Sequence, residues 1–136
     1  MKVSPVEFIQ CPVEIAFTHI GKKWTINILR DMFRGTTRFS DFLVNNPKLS
    51  TRMLSQRLQD LEEDGLIVRK VIDSKPVTIF YSLTTMGHSL NKVLYELAMF
   101  SYVYHPNDVL VVNNLDVNQL DYSNTVKAEL QIPIDL

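Results

Sequence analysis

Residues 49–65 read LSTRMLSQRLQDLEEDG, and this stretch decides how the rest of the chain is read. Ser50 suits a helix N-cap, because its hydroxyl can accept a hydrogen bond from a free backbone N–H of the first turn. Leu49 before the cap and Leu54 inside the helix have the spacing of a hydrophobic staple. Leu54, Leu58 and Leu61 recur at i, i+4 and i+7 and share one face. At about 100° per residue, Arg52, Ser55, Gln56 and Gln59 fall roughly opposite them. Asp60, Glu62, Glu63 and Asp64 gather at the far end, and Gly65 closes the helix as a C′ residue. The front half of this helix is basic and polar and its rear half acidic, so the front end suits a polyanion. Taken alone, the same pattern also describes an ordinary amphipathic surface helix. The flanks separate the two readings.

Immediately upstream, Asn46-Pro47-Lys48 is a turn. Before it, Ser40 is expected to cap a short helix from Asp41 to about Asn45, anchored by Phe42 and Leu43, and Thr36–Phe39 is short and β-prone. Two helices joined by a short turn, the second polar outside and leucine-lined inside, make a helix-turn-helix pattern. Downstream, Leu66–Ile72 and Val77–Leu83 are rich in β-branched and aromatic residues and flank the turn Asp73-Ser74-Lys75-Pro76, which predicts a hairpin. As a wing, this hairpin would bring Arg69, Lys70 and Lys75 to backbone phosphates; as a purely structural hairpin, it would only solvate them.

Further out, Cys11-Pro12 opens a helix with proline at N1, where its missing N–H is not needed. Val13, Ala16, Phe17 and Ile20 form its apolar stripe and Gly21 ends it. A second helix is predicted from Lys22 to Phe33, with Trp24, Ile28, Leu29, Met32 and Phe33 inward. Thr84 or Thr85 is expected to cap one long helix to about Tyr104. That helix carries two apolar stripes, one through Met86, Leu90, Val93, Leu94 and Leu97, the other through Tyr95, Met99, Tyr102 and Val103. A helix apolar on two sides needs two burial surfaces. A second subunit or a core completed by the tail can supply the second one, and excess apolar surface favours the subunit. The expected organisation is a lead-in at 1–10, a winged helix-turn-helix unit with dimerisation helices at 11–104, and a tail at 105–136 packed on the dimer. In that tail, residues 109–112 read as a strand and 115–130 as a weak helix. The fold class is mainly α with a small β-hairpin wing.

Composition sets bounds on function. The chain of 136 residues suits one core with an added tail. No apolar run is long enough to cross a bilayer, no secretory leader is expected from the N-terminal MKVSPVEFIQ, and one cysteine fits a cytoplasmic protein without an internal disulfide. The formal net charge is −1, but residues 1–83 carry +3 and residues 84–136 carry −4. A local basic surface matters more for phosphate contact than the overall balance. The three histidines are scattered, with no metal-ligand spacing, and no phosphate loop, nucleophile elbow or paired-carboxylate site is visible. An enzyme, a metal and a cofactor are therefore not expected.

Side-chain chemistry assigns roles within this frame. Arg52 can reach guanine O6 and N7 bidentately, and Gln56 has adenine as its natural partner. Thr51 and Ser55 are further contacts on the same face. Arg38, Lys48, Arg57, Arg69, Lys70 and Lys75 are phosphate candidates, which position without specifying. Arg57 can instead pair with Asp60 at i+3. Cys11 is either a small buried apolar residue or, at a helix N-terminus, a thiol activated by the local positive potential.

From Cys11 to about Tyr104 the chain resembles the HxlR-type winged-helix transcription regulators, within the MarR-like group. The resemblance rests on Cys11-Pro12-Val13-Glu14, on Gly21–Thr25 with Ile28-Leu29-Arg30, and on Arg38-Phe39-Ser40. It is carried most of all by Ser50–Leu58 continuing through Leu61–Ile67, and it closes with Tyr81–Thr84 and Gly87. It implies a homodimer on double-stranded DNA, with the first and last helices (Val13, Phe17, Tyr95, Met99, Tyr102) at the interface. Two recognition helices would then enter successive major grooves of a pseudo-palindromic operator. Some relatives sense oxidants or electrophiles at the position of Cys11, and a small-molecule effector bound between the long helix and the DNA domain is a further reading compatible with this one. The competing reading is a winged-helix protein-interaction module that has lost DNA binding.

Overall fold

In a computed structural model that describes residues 5–109 and 121–133, the chain runs α1 (Pro12–Ile20), α2 (Thr25–Phe33), α3 (Phe39–Asn45), α4 (Thr51–Glu63), β1 (Ile67–Ile72) and β2 (Thr78–Leu83). It continues through α5 (Thr85–His88), α6 (Asn91–Tyr104), α7 (Pro106–Val109) and α8 (Tyr122–Glu129). The opening stretch folds as read. Ser50 Oγ accepts the Met53 N–H at 3.1 Å, satisfying one orphan donor of the first turn of α4. Leu54, Leu58 and Leu61 are all buried, and Gly65 follows the helix at φ +77°, a left-handed conformation that favours glycine. These leucines meet Ile28, Leu29, Met32 and Phe33 of α2, Phe42 of α3 and Leu49 of the turn in one core.

The hairpin is antiparallel, in register from Ile67 opposite Leu83 to Ile72 opposite Thr78. Its base is buried through Ile67 and Tyr81, and its tip stands clear of the core. The β-prone Thr36–Phe39 forms no strand. Its trace is one hydrogen bond, from the Tyr81 N–H to the Thr37 carbonyl at 2.8 Å.

Three boundaries depart from the sequence reading. Helix α3 begins at Phe39 with Arg38 as the extended N-cap residue, so Ser40 lies inside the first turn and caps nothing. Helix α2 begins at Thr25, because Trp24 takes a left-handed φ of +76° and interrupts the pattern that runs on from Lys22. The Trp24 ring is half-buried rather than fully inward. The predicted long helix is two: Thr84 caps the single turn α5, and α6 starts afresh at Asn91.

The tail folds back on its own chain. Val126 and Leu130 are buried, and the Tyr122 ring stacks on Tyr102 with centroids 4.3 Å apart. The Tyr95 and Ser123 hydroxyls share a 2.6 Å hydrogen bond. Glu129 pairs with Arg34 at 3.0 Å, and Gln131 Nε2 donates to the Phe33 carbonyl at 3.2 Å. Part of the second stripe of α6 is thus covered by α8. Val109 is helical, while residues 110–112 and 115–120 lie outside the described residues.

Candidate nucleic-acid interface

The α3–α4 pair is held against α2 by a buried polar network that the hydrophobic pattern does not reveal. Asp31 is 1 % exposed. Its Oδ1 accepts from Arg30 Nη2 at 3.0 Å and its Oδ2 from Asn46 Nδ2 at 2.7 Å. Asn46 also donates to the Phe42 carbonyl at 2.9 Å and accepts from Arg30 at 3.2 Å. The turn entering α4 is therefore tied both to its own helix pair and to α2. The sequence signal, in hindsight, is a carboxylate set between Leu29 and Met32 on an otherwise apolar helix face.

With the turn fixed, the front of α4 projects outward. Thr51, Arg52, Ser55 and Gln56 are all exposed, as is Lys48 just before the helix. Among the described residues, Arg52 makes no hydrogen bond or ion pair, so its guanidinium is available. The rear half is engaged internally. Gln59 donates to Glu63 at 3.2 Å, and Gln56 Nε2 donates to Asp60 Oδ1 at 2.9 Å.

Arg57 departs from its place among the phosphate candidates. Its Nε donates to the Lys23 carbonyl at 2.9 Å and its Nη1 to Asp60 Oδ2 at 3.0 Å, with only 14 % of the side chain exposed. It joins α4 to the segment before α2 and takes the i+3 pairing that its spacing allows. Lys22 reaches the same carboxylate oxygen at 3.5 Å. Burial works to raise the Asp60 pKa, but the Gln56 hydrogen bond, the Lys22 charge and the Arg57 donation outweigh it and hold the carboxyl below its usual range.

The other basic candidates flank the helix. Arg38 lies over the Phe80 ring at 5.3 Å, a cation–π contact that fixes it between α3 and the hairpin. Arg69 lines an open groove of about 370 Å³ with Ser55, Gln59, Glu62, Glu63 and Tyr81. Lys70 and Lys75 are exposed along the hairpin and at its tip.

Behind the reading face, Val13 and Phe17 of α1 are 63 % and 52 % exposed. On α6, Val93, Leu97, Phe100, Val103 and Tyr104 are exposed, whereas Tyr95 and Tyr102 are partly buried beside α8 and Met99 is partly buried. A second open groove, about 300 Å³ and mostly apolar, lies between α2, α6 and α8. Cys11 is exposed at the N-cap of α1, and its side chain makes no capping hydrogen bond. Among the described residues there is no cluster of metal-ligating side chains and no helix long and apolar enough to cross a membrane.

A helix-turn-helix followed by an antiparallel hairpin, with the second helix presenting polar and basic side chains, defines a winged-helix DNA-binding class. Known proteins give the class its family. The family described as HxlR-like helix-turn-helix matches residues 19–108. The uncharacterized HTH-type transcriptional regulator YdeP of Bacillus subtilis (strain 168) is 38 % identical over 94 residues, 69 % of this chain and 73 % of that protein. Among solved structures, the redox regulator HypR in its oxidized form superposes with a TM-score of 0.65 at 33 % identity, covering 70 % of this chain and 98 % of that one. The reduced form of the transcriptional regulator YodB from B. subtilis gives a TM-score of 0.61 at 29 % identity, over 73 % of this chain and 98 % of that one. This chain belongs to the HxlR-like helix-turn-helix family of transcriptional regulators.

Proposed function

We propose that the protein is a homodimer that reads a pseudo-palindromic operator in double-stranded DNA, one α4 in each of two successive major grooves. The observation that carries this reading is Arg52, unpaired among the described residues, on the exposed front of a capped helix, beside Thr51, Ser55 and Gln56. Lys48 and Arg38 beside the helix, with Arg69, Lys70 and Lys75 on the hairpin, supply phosphate contacts that set the register. The exposed apolar side chains of α1 and α6 support dimerisation, which would place the two reading helices about 34 Å apart. The groove between α2, α6 and α8 touches both the reading unit and the dimer helix, so it is the place assigned to a small-molecule effector.

The test is a titration of genomic DNA fragments, including the chain's own upstream region, at several salt concentrations. Saturable, sequence-selective binding that falls steeply with salt is expected. Arg52→Ala should weaken binding to the preferred fragment by about 1–3 kcal/mol, roughly 5- to 150-fold, as for loss of a bidentate base contact. A folded dimer that binds no fragment at low salt would leave the protein-interaction reading in its place.

Redox control extends this reading, and the similarity to a redox regulator supports it. Cys11 is solvent-accessible at the N-cap of α1. As the sole cysteine of this sequence, it can form a disulfide only with a thiol of another molecule, such as Cys11 of a second copy. Oxidation with diamide should change DNA affinity in the wild type and leave Cys11→Ser unchanged.

A further inference from the structure

We propose that Asp60 is a positioning residue for base reading: it fixes which way round the Gln56 amide sits and thereby makes Gln56 a reader of adenine against guanine. This rests on the assignment of α4 as the reading helix and adds a residue that points away from the DNA. The chain of contacts is continuous. Gln56 Nε2 donates to Asp60 Oδ1 at 2.9 Å. The other carboxylate oxygen accepts from Arg57 Nη1 at 3.0 Å and lies 3.5 Å from Lys22 Nζ. Arg57 is itself anchored on the Lys23 carbonyl at 2.9 Å. Asp60 therefore cannot swing away without giving up its contacts to both cations.

The chemistry follows from donor and acceptor inventory. An ionised carboxylate only accepts, while an amide has one accepting and one donating end. The amide must turn its nitrogen toward Asp60, since the reverse would set two oxygens against each other. One N–H is then committed, and the carbonyl and the second N–H remain for the DNA. That pair matches adenine, whose N6 donates and whose N7 accepts. Guanine offers two acceptors, O6 and N7, and would need both N–H groups of the amide. A glutamine without Asp60 can turn to supply both; with one N–H held, it cannot.

The experiment measures affinity for a bound fragment and for each single base-pair change in one half-site, for the wild type, Gln56→Ala and Asp60→Ala. The wild type should prefer adenine over guanine at one pair by about 5- to 150-fold, as for a bidentate base contact. Gln56→Ala and Asp60→Ala should reduce that preference at the same pair to below about threefold, leaving the other positions unchanged. An even loss of affinity on all sequences in Asp60→Ala, with the adenine preference intact, would overturn the assignment. NMR of the Gln56 side-chain amide in the wild-type protein gives a test that needs no variant: an ordered, hydrogen-bonded NH2 is expected, and a freely turning one sinks the proposal. If the wild type bound no DNA, the reading-helix assignment would fail, whereas the amide measurement would still judge the Asp60 contact by itself.

Discussion

Asp31→Ala is expected to lower the unfolding free energy by about 3 kcal/mol, toward the lower end of the roughly 3–5 kcal/mol for breaking a buried charged pair. The carboxylate is 1 % exposed and both of its oxygens are used, one by Arg30 and one by Asn46. Removal strands Asn46, which is 5 % exposed and has only the Phe42 carbonyl left for its Nδ2. Arg30 offsets part of the loss, because 36 % of its side chain is exposed and it can turn to water. The effect reaches function through the turn between α3 and α4, which Asn46 opens. Urea unfolding should show a lower midpoint at unchanged slope. DNA binding of the folded fraction should also weaken, since the approach of α4 to the groove is set by that turn. A midpoint shift worth less than about 1 kcal/mol, within the range of a typical single hydrogen bond, would mean that the apolar core alone holds the helix pair.

The same network shows where the sequence stops being informative. The parts that could be read directly are those whose causes are local. Ser50 caps α4 because a hydroxyl three residues before a free N–H suffices, and Leu54, Leu58 and Leu61 report one buried face by spacing alone. The hairpin follows from β-branched runs around a polar turn. The parts that could not be read depend on partners distant in the chain. Asp31 counts only as a charge until Asn46 is brought beside it, and Arg57 remains an available cation until the Lys23 carbonyl and Asp60 claim it. Helix α3 begins one residue after Arg38 rather than after Ser40, next to the point where Tyr81 ties down the Thr37 carbonyl. The stripe of Tyr95 and Tyr102 looks equally fit for a second subunit or for the tail, and only the placement of α8 shows that the tail takes part of it. At the reading face, exposure of Arg52 was legible from helical spacing, whereas the role proposed here for Asp60 needs the position of Lys22 from another element.

Gly87→Ala is expected to destabilise the fold by about 3 kcal/mol or more, at or beyond the upper end of ordinary overpacking. Backbone conformation is not the cause; contact is. A Cβ at position 87 would collide with the Leu66 carbonyl oxygen and would come within 3.1 Å of Leu83 Cδ2. A flexible side-chain end could move aside cheaply, but this oxygen cannot. It accepts the Thr84 N–H at 3.1 Å, while the Thr84 hydroxyl donates to the Gly65 carbonyl at 2.6 Å and accepts the Gly87 N–H at 3.1 Å. Three hydrogen bonds linking the end of α4, the base of the hairpin and the start of α5 thus hold the Leu66 carbonyl in the space that a methyl group would need. The same junction coincides with the break in the predicted long helix: the chain makes one capped turn against Leu66, and α6 starts at Asn91. Relief by shifting α5 would move α6, and with it the apolar face proposed for the second subunit. Chemical unfolding of Gly87→Ala should therefore show a large loss of stability, and the folded fraction should dimerise more weakly than the wild type at equal concentration. A variant as stable as the wild type would show that α5 can slide past Leu66, and the junction would then be a hinge rather than a fixed joint.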